Sequence, residues 1–288
     1  MTEIDFSSQT TIVTGASSGI GAAFARALAA RGSDLILVAR RIDRLDELAT
    51  ELERDHRVRV TPIALDLSRP AAGQALAAEV ATRGLTVTGL VNNAGFGTDG
   101  PFHEEDPDRL QAEIAVDVVN LVDLSRAFIG PLREAGRGIL VNVASLAAYQ
   151  PGPEMAVYSA CKAFVLSFTE ALWFESRSSG LRVLSLAPGL TRTEFFDDLA
   201  GGTYNGSFQT PEQVVGTALR TLDRGNRRPS IVSGRGNALA ASASRFFSRR
   251  RTVLLSGAIG ARSRNAAAVA ASASASASAS AVRGAGAL

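Results

Sequence analysis

The stretch TTIVTGASSGIGAAFARALAARG, Thr10–Gly32, decides how the chain folds. It opens on Thr10–Val13, a short β-branched run of the kind that forms strands. Gly15–Gly21 is a glycine-rich turn. Ile20, Phe24, Ala27 and Leu28 then recur at helical spacing, and Gly32 stops the helix. Such a turn between strand and helix is where a dinucleotide pyrophosphate meets a helix N-terminus, with glycine letting the backbone come close. The spacing is G-x-x-x-G-x-G, not the commoner G-x-G-x-x-G, and taken alone it is weak evidence because turns use glycine anyway.

Outward from this unit, strand-like and helix-like segments alternate. Asp34–Ala39, Val58–Leu65, Val87–Val91, Gly138–Ser145, Arg182–Ala187 and Pro229–Ser233 read as further strands. The helices between them carry Leu45, Leu48 and Leu52, or follow Pro70, or run over Pro107–Glu134 and Glu154–Ser179, or start at Pro211. Repeated βα units with these connections predict an α/β fold: a doubly wound parallel sheet of Rossmann type, seven strands with helices on both faces. The organisation read from the chain is one domain over 1–233, a basic amphipathic extension over 234–262, and an Ala/Ser-rich disordered tail over 263–288.

Composition suits one large globular domain: 288 residues, 46% hydrophobic and 20% charged. No apolar run is long enough to span a bilayer, and MTEIDFSSQ at the start has neither the basic nor the apolar region of a signal peptide. One cysteine, Cys161, allows no internal disulfide and suits a reducing, cytoplasmic compartment. His56 and His103 stand far apart without cysteine or histidine neighbours, so no metal site is expected. All 28 acidic residues lie at or before Asp223, together with 19 of the 30 basic ones; 11 arginines and no acid follow. The part up to Asp223 thus carries −9 and the remainder +11, which suits an anionic membrane surface, nucleic acid or an acidic partner. Of these, membrane-surface contact by the extension is kept beside the favoured reading, in which its apolar residues cap the sheet or an oligomer interface with the arginines solvated; nucleic acid is not expected.

Two features point to chemistry. Where an acid would bind the ribose hydroxyls of NAD, at the end of the second strand, Ala39 is followed by Arg40 and Arg41, whose planar forks suit the 2′-phosphate of NADP. Ser145 ends an apolar strand, where open α/β sheets bind ligands. Tyr158 and Lys162, four apart at the start of a helical segment, share a face. A free tyrosine titrates at about pH 10, and a nearby cation favours its phenolate, making it a usable general acid or base. The Ser145 hydroxyl can bond the same substrate oxygen. Y-x-x-x-K alone is a common accident.

In order and spacing these residues resemble the short-chain dehydrogenase/reductase family, in its compact branch, over roughly Gln9 to Ser233. Thr14–Gly21 is similar to the family's cofactor turn, which implies contact by Gly15, Ser17, Ser18, Gly19, Ile20 and Gly21. Asp66, beside Leu67, matches the acid that holds the adenine, and Asn92-Asn93-Ala94-Gly95 looks like the motif that steadies the sheet and lines the cofactor. Pro188-Gly189 with Thr191 and Thr193 is similar to the segment meeting the nicotinamide amide. Ser145, Tyr158 and Lys162 match the catalytic serine and Y-x-x-x-K, and the resemblance gives Lys162 the nicotinamide ribose as well. Asp117 stands where the family has a catalytic asparagine, with Asn120 one turn on. A carboxylate there could hold the family's relay water, or pair with Lys162 and weaken its pull on Tyr158.

The resemblance implies a NADP(H)-dependent oxidoreductase moving a hydride to or from a carbonyl or secondary alcohol. Phe195, Phe196 and Phe208, in the family's lid region, suggest an apolar substrate: ketoacyl, steroid-like or long-chain. It also implies a homodimer or homotetramer built on the long helices. The alternatives are a non-catalytic NADP-binding sensor, for which Asp117 is the only support, and a membrane-surface or partner-binding protein peripheral to the inner face of the membrane.

Overall fold

The computed structural model describes residues 4–196, 199, 207–225 and 227–258. Seven strands form one parallel sheet: β1 Thr10–Thr14, β2 Asp34–Ala39, β3 Val60–Ala64, β4 Gly89–Asn92, β5 Ile139–Val143, β6 Arg182–Ala187 and β7 Ser230–Val232. Their order, β3-β2-β1-β4-β5-β6-β7, reverses direction between β1 and β4, and at such a switch point the C-terminal strand ends leave a crevice. The expected seven-stranded, doubly wound sheet is the one observed. β3 is shorter than Val58–Leu65 and carries Pro62, which an edge strand tolerates because its outer side has no ladder to break.

The central strands are buried on both faces, which is why they read as near-continuous aliphatic runs. Helices α1 (Gly19–Ala29), α2 (Ile42–His56) and α7 (Pro211–Asp223) pack one face, around Phe24, Leu28, Leu45, Leu52 and Val214. Helices α3 (Ala72–Thr82), α5 (Asn120–Ala135) and α6 (Ala156–Glu175) pack the other, around Leu76, Leu90, Leu124 and Phe128. Each such side chain, fully buried, contributes about 1.5–3 kcal/mol. A chain of amides and hydroxyls ties the layers: Asn92 Nδ2 donates to Ser125 Oγ at 3.2 Å and to Asn142 Oδ1 at 2.9 Å, and Asn142 Nδ2 donates to Thr169 Oγ1 at 2.9 Å.

The helix expected over Pro107–Glu134 is interrupted. After α4 (Pro107–Ile114) comes one π-helical turn, Ala115–Val119, before α5 begins. That wider turn undoes the expected i, i+3 alignment of Asp117 and Asn120. Asn120 Nδ2 donates to Leu67 O at 2.6 Å, and its Oδ1 accepts from the Gly73 N–H at 3.3 Å, so it serves the β3–α3 loop.

Beyond β7, α8 covers Arg235–Ala243 and a further helix, α9, runs over residues 249–258. Thr252 is buried, Ser244 Oγ donates to Tyr149 O at 3.2 Å and Ser256 Oγ to Pro151 O at 2.6 Å, so this segment packs on the rim of the crevice. No helix among the described residues is long and apolar enough to cross a membrane. The disordered tail expected over 263–288 lies outside the described residues.

Candidate active site

At the C-terminal strand ends lies a cleft of about 750 Å³. It is lined by the glycine-rich turn, by Arg40 and Arg41 after β2, by Asp66 and Leu67 after β3, by Asn93, Ala94 and Gly95 after β4, and by Ser145 after β5. Tyr158 and Lys162 from α6, and Pro188, Gly189, Thr191 and Thr193 after β6, complete it. Two of the expected site residues do not line it. Gly21 is buried behind the turn, where a Cβ would collide with the Gly15 carbonyl oxygen; its part is to let helix and turn pack closely. Asp117 lies behind Gly95 and reaches the cleft only through Lys162.

The cofactor end is built from backbone. Gly15 has φ +65°, and a Cβ there would come 2.8 Å from Asn93 Nδ2. Asn93 holds the turn in place: its Nδ2 donates to Thr14 O at 3.0 Å, while the Asn93 and Ala94 N–H groups each donate to Thr14 Oγ1 at 3.0 Å. The turn feeds the N-terminus of α1, where Ser18 holds the N-cap position without a side-chain capping bond. An 11-residue helix offers its first amides to an anion there. Asp66 accepts from the Ser68 N–H at 2.9 Å and from its hydroxyl at 2.7 Å, which keeps its carboxylate below the ordinary range.

Arg41 sits where the turn and β2 meet. Its Nη2 donates to Ser17 Oγ at 3.0 Å and Ser18 Oγ at 3.2 Å, and its Nη1 to Glu194 Oε2 at 2.9 Å. Glu194 also takes Arg44 Nη1 at 2.5 Å. Glycine cradle, helix N-terminus and arginine fork together fit a phosphorylated dinucleotide. Neither Arg44 nor Glu194 figured in the sequence reading. Arg44 is three residues past Arg41 and was legible; Glu194 is brought over by the β6–α7 segment and was not.

The reacting end is less solvated. Ser145 Oγ accepts from the Ala147 N–H at 3.1 Å. Lys162, the only lysine in the sequence, is buried, lies 5.6 Å from the Tyr158 ring centroid, and donates to Val143 O at 3.4 Å. Its Nζ also stands 3.0 Å from Asp117 Oδ2, the pairing with Lys162 named above. Asp117 Oδ1 accepts from the Phe96 N–H at 3.2 Å.

This pairing changes the electrostatics expected from Y-x-x-x-K. Burial pushes the Tyr158 phenol above its ordinary value; Lys162 and the Ser145 hydroxyl pull it down, Asp117 and Glu113 push it up, and the net direction is upward. Burial presses Lys162 towards the neutral form, but Asp117 and Tyr158 more than offset this and its pKa is raised. Lowering of the tyrosine below its free value is therefore not found. Burial also raises the Cys161 thiol to about 12, in keeping with a packing residue.

Aromatic rings roof the cleft. Phe195 lies 5.5 Å from the Tyr158 ring, Phe196 packs edge-on against Phe195 at 5.1 Å, and Phe208 against Phe196 at 5.4 Å. The roof is apolar where a substrate would meet Tyr158. Among the described residues no cluster of three or more His, Cys, Asp or Glu side chains is placed to hold a metal ion.

The parallel sheet, its switch-point cleft and the Ser–Tyr–Lys wall define a doubly wound oxidoreductase. Residues 9–201 match the family described as short chain dehydrogenase, and the chain belongs to that family. It is 40% identical over 194 residues to sulfoacetaldehyde reductase 2 of Chromohalobacter salexigens, covering 66% of this chain and 76% of that protein. It is 30% identical over 215 residues to the very-long-chain 3-oxoacyl-CoA reductase of Bos taurus, covering 73% and 67% respectively. Among solved structures, a short-chain dehydrogenase from Sphingobium yanoikuyae in complex with NADPH superposes with a TM-score of 0.72 at 32% identity, covering 83% of this chain and 94% of that one.

Proposed function

We propose that the protein is a NADP(H)-dependent carbonyl reductase or alcohol dehydrogenase. The observation that carries this is the convergence of Ser145, Tyr158 and Lys162 on the cleft that also takes in the glycine turn and Arg41. NADP(H), held by the Gly15–Ile20 turn, Arg40, Arg41, Asp66, Leu67, the Asn93–Gly95 strand end and the Pro188–Thr193 segment, supplies or accepts the hydride. Ser145 orients the substrate oxygen, Tyr158 exchanges its proton, and Lys162 anchors the ribose and steadies negative charge on Tyr158. The NADPH complex of the Sphingobium relative supports the cofactor. The phenylalanine roof supports an apolar substrate; the named relatives range from a small sulfonated aldehyde to very long acyl-CoA, so the residues above Tyr158 carry the choice.

The test is a screen of NADPH oxidation across ketosteroids, 3-ketoacyl thioesters and small aldehydes and ketones, with Tyr158→Phe measured beside the wild type. The variant should lose at least about 99% of turnover while binding NADPH as before, since a positioned acid contributes about 10²–10⁴-fold. Retention of a tenth of the rate would remove Tyr158 as the acid. Intact Ser145, Tyr158 and Lys162 disfavour a sensor that does not turn over.

Val119, Phe164 and Phe174 are exposed apolar residues on the helices expected to pair, which supports a homodimer or homotetramer, to be read by light scattering. The exposed apolar residues of α9 beside its arginines support contact with the inner face of a membrane from the cytoplasm.

A further inference from the structure

Glu113 has no part in the reading above. It is the penultimate residue of α4 and fully buried. Its Oε2 accepts from the Thr98 hydroxyl at 2.9 Å, while Oε1 has no hydrogen-bond partner among the described residues. Asp117, four residues on in the π turn, is also fully buried and holds the Lys162 ammonium. The groups that act on Glu113 are Thr98 from the loop after β4, Asp117 from the π turn, and Lys162, with Cys161 and Tyr158, from α6.

Lys162 is the one cation in this set. Cys161 stays a thiol and Tyr158 a phenol at rest. Two ionised carboxylates against one ammonium would leave a buried charge without a counter-ion, a heavily disfavoured state. One proton therefore resides on the two carboxyl groups. Glu113, the one that does not touch the ammonium, is raised to about 7, by burial first and by Asp117 in addition, against the Thr98 hydrogen bond.

We propose that Glu113 and Asp117 form one carboxyl pair that keeps a single exchangeable proton behind Lys162 and returns to Tyr158 the proton it gives away. Glu113 is then a positioning residue that never touches the substrate. The proton count closes. For each carbonyl reduced, Tyr158 gives its hydroxyl proton to the substrate oxygen and is left as phenolate. The Lys162 side restores that proton, the carboxyl pair reprotonates Lys162, and the pair takes one proton from water. Alcohol oxidation runs the same transfers backwards. The inference rests on Tyr158 as the acid.

The experiment follows kcat for ketone reduction and alcohol oxidation between about pH 5 and about pH 9. In the wild type, reduction should fall and oxidation rise through an ionisation near 7. Glu113→Gln should lower reduction about tenfold with little change in KM, and the inflection should vanish. Asp117→Asn should move it below 7, because no second carboxylate then opposes ionisation of Glu113. Thr98→Val should move it above 7, because the hydroxyl that favours the carboxylate is gone. Infrared titration of the ligand-free protein should show a protonated-carboxyl band lost near 7 in the wild type and absent in Glu113→Gln. A wild-type pH profile reproduced in Glu113→Gln, with Tyr158→Phe inactive, overturns the pair and leaves the Tyr158 assignment standing. An active Tyr158→Phe overturns that assignment instead, and the infrared band still reports on the pair. If Glu113→Gln does not fold, an inflection unmoved by Thr98→Val overturns the proposal.

Discussion

Arg41 divides one guanidinium between two hydroxyls of the glycine turn and the carboxylate of Glu194. A 2′-phosphate bound at Arg41 would meet Glu194 as a competitor, since both are oxyanions drawn to the same fork. The two contacts differ in weight. Arg41 and Glu194 are each more than two-fifths exposed, and such a pair is worth about 0.2–1 kcal/mol. A charge-assisted bond to a bound phosphate is worth about 1.5–3 kcal/mol. Glu194→Gln should therefore tighten NADPH by about two- to fivefold and leave NADH almost unchanged. Arg41→Ala should weaken NADPH by about ten- to a hundredfold, again sparing NADH. Fluorescence titration with both cofactors checks this, and equal losses for NADPH and NADH in Arg41→Ala would assign the arginine to the turn and not to the phosphate.

At the scale of elements, the α4–π–α5 helix shows what periodicity reveals and what it hides. Leu110, Leu121 and the residues between them announce a helix facing the sheet, and its place between β4 and β5, which pair in parallel, makes it part of a crossover of the doubly wound fold. Turn, strand ends and the Y-x-x-x-K face were legible for the same reason: each is local, with its spacing written in consecutive residues. The π turn is not local in that sense, because one wider turn leaves the apolar pattern almost unchanged while re-aiming Asp117 and Asn120. Nothing local in the sequence marks Glu113 as buried; that follows from how α4 packs, α6 among its neighbours. The signal available was an i, i+4 acid pair, Glu113 and Asp117, whose second member stands at the family's asparagine position. The burial has a measurable consequence. Glu113 rises from 4.5 to about 7 on folding. Below 4.5 both states hold the proton; as pH rises from there the unfolded chain releases it first, so stability falls across this window and levels off above 7. The full difference is at most about 3–4 kcal/mol, at about 1.4 kcal/mol per pH unit over the rise from 4.5 to about 7. Relative to wild type, Glu113→Gln should gain stability between about pH 5 and about pH 8 by a sizeable part of that amount. Urea unfolding at both values tests it, and an identical difference at the two would mean that Glu113 ionises freely in the fold.

On the scale of the whole molecule, the catalytic body is acidic and the part after Asp223 wholly basic. The structure gives α9 two faces. Thr252 and Ser256, four apart, turn towards the cleft rim, where Ser256 also lines the cleft. Val253, Leu254 and Leu255 are exposed, Arg249, Arg250 and Arg251 lie beside them in the helix, and Leu239, Phe246 and Phe247, earlier in the same extension, are exposed as well. An anionic bilayer fits that combination: the three arginines contribute about 1 kcal/mol each near its surface, and the apolar side chains add to this as they enter the headgroup region. Neither term suffices alone, so binding should be weak and salt-sensitive. The wild type should sediment with vesicles containing phosphatidylglycerol at low salt, be released at about 0.5 M salt, and ignore pure phosphatidylcholine. Replacing Leu254 and Leu255 together by glutamate should abolish sedimentation without changing turnover of a small soluble ketone, because neither side chain lines the cleft. A patch that instead joins two copies of the chain would respond differently. The double variant would then change the molecular weight in light scattering, while the wild type failed to bind either vesicle.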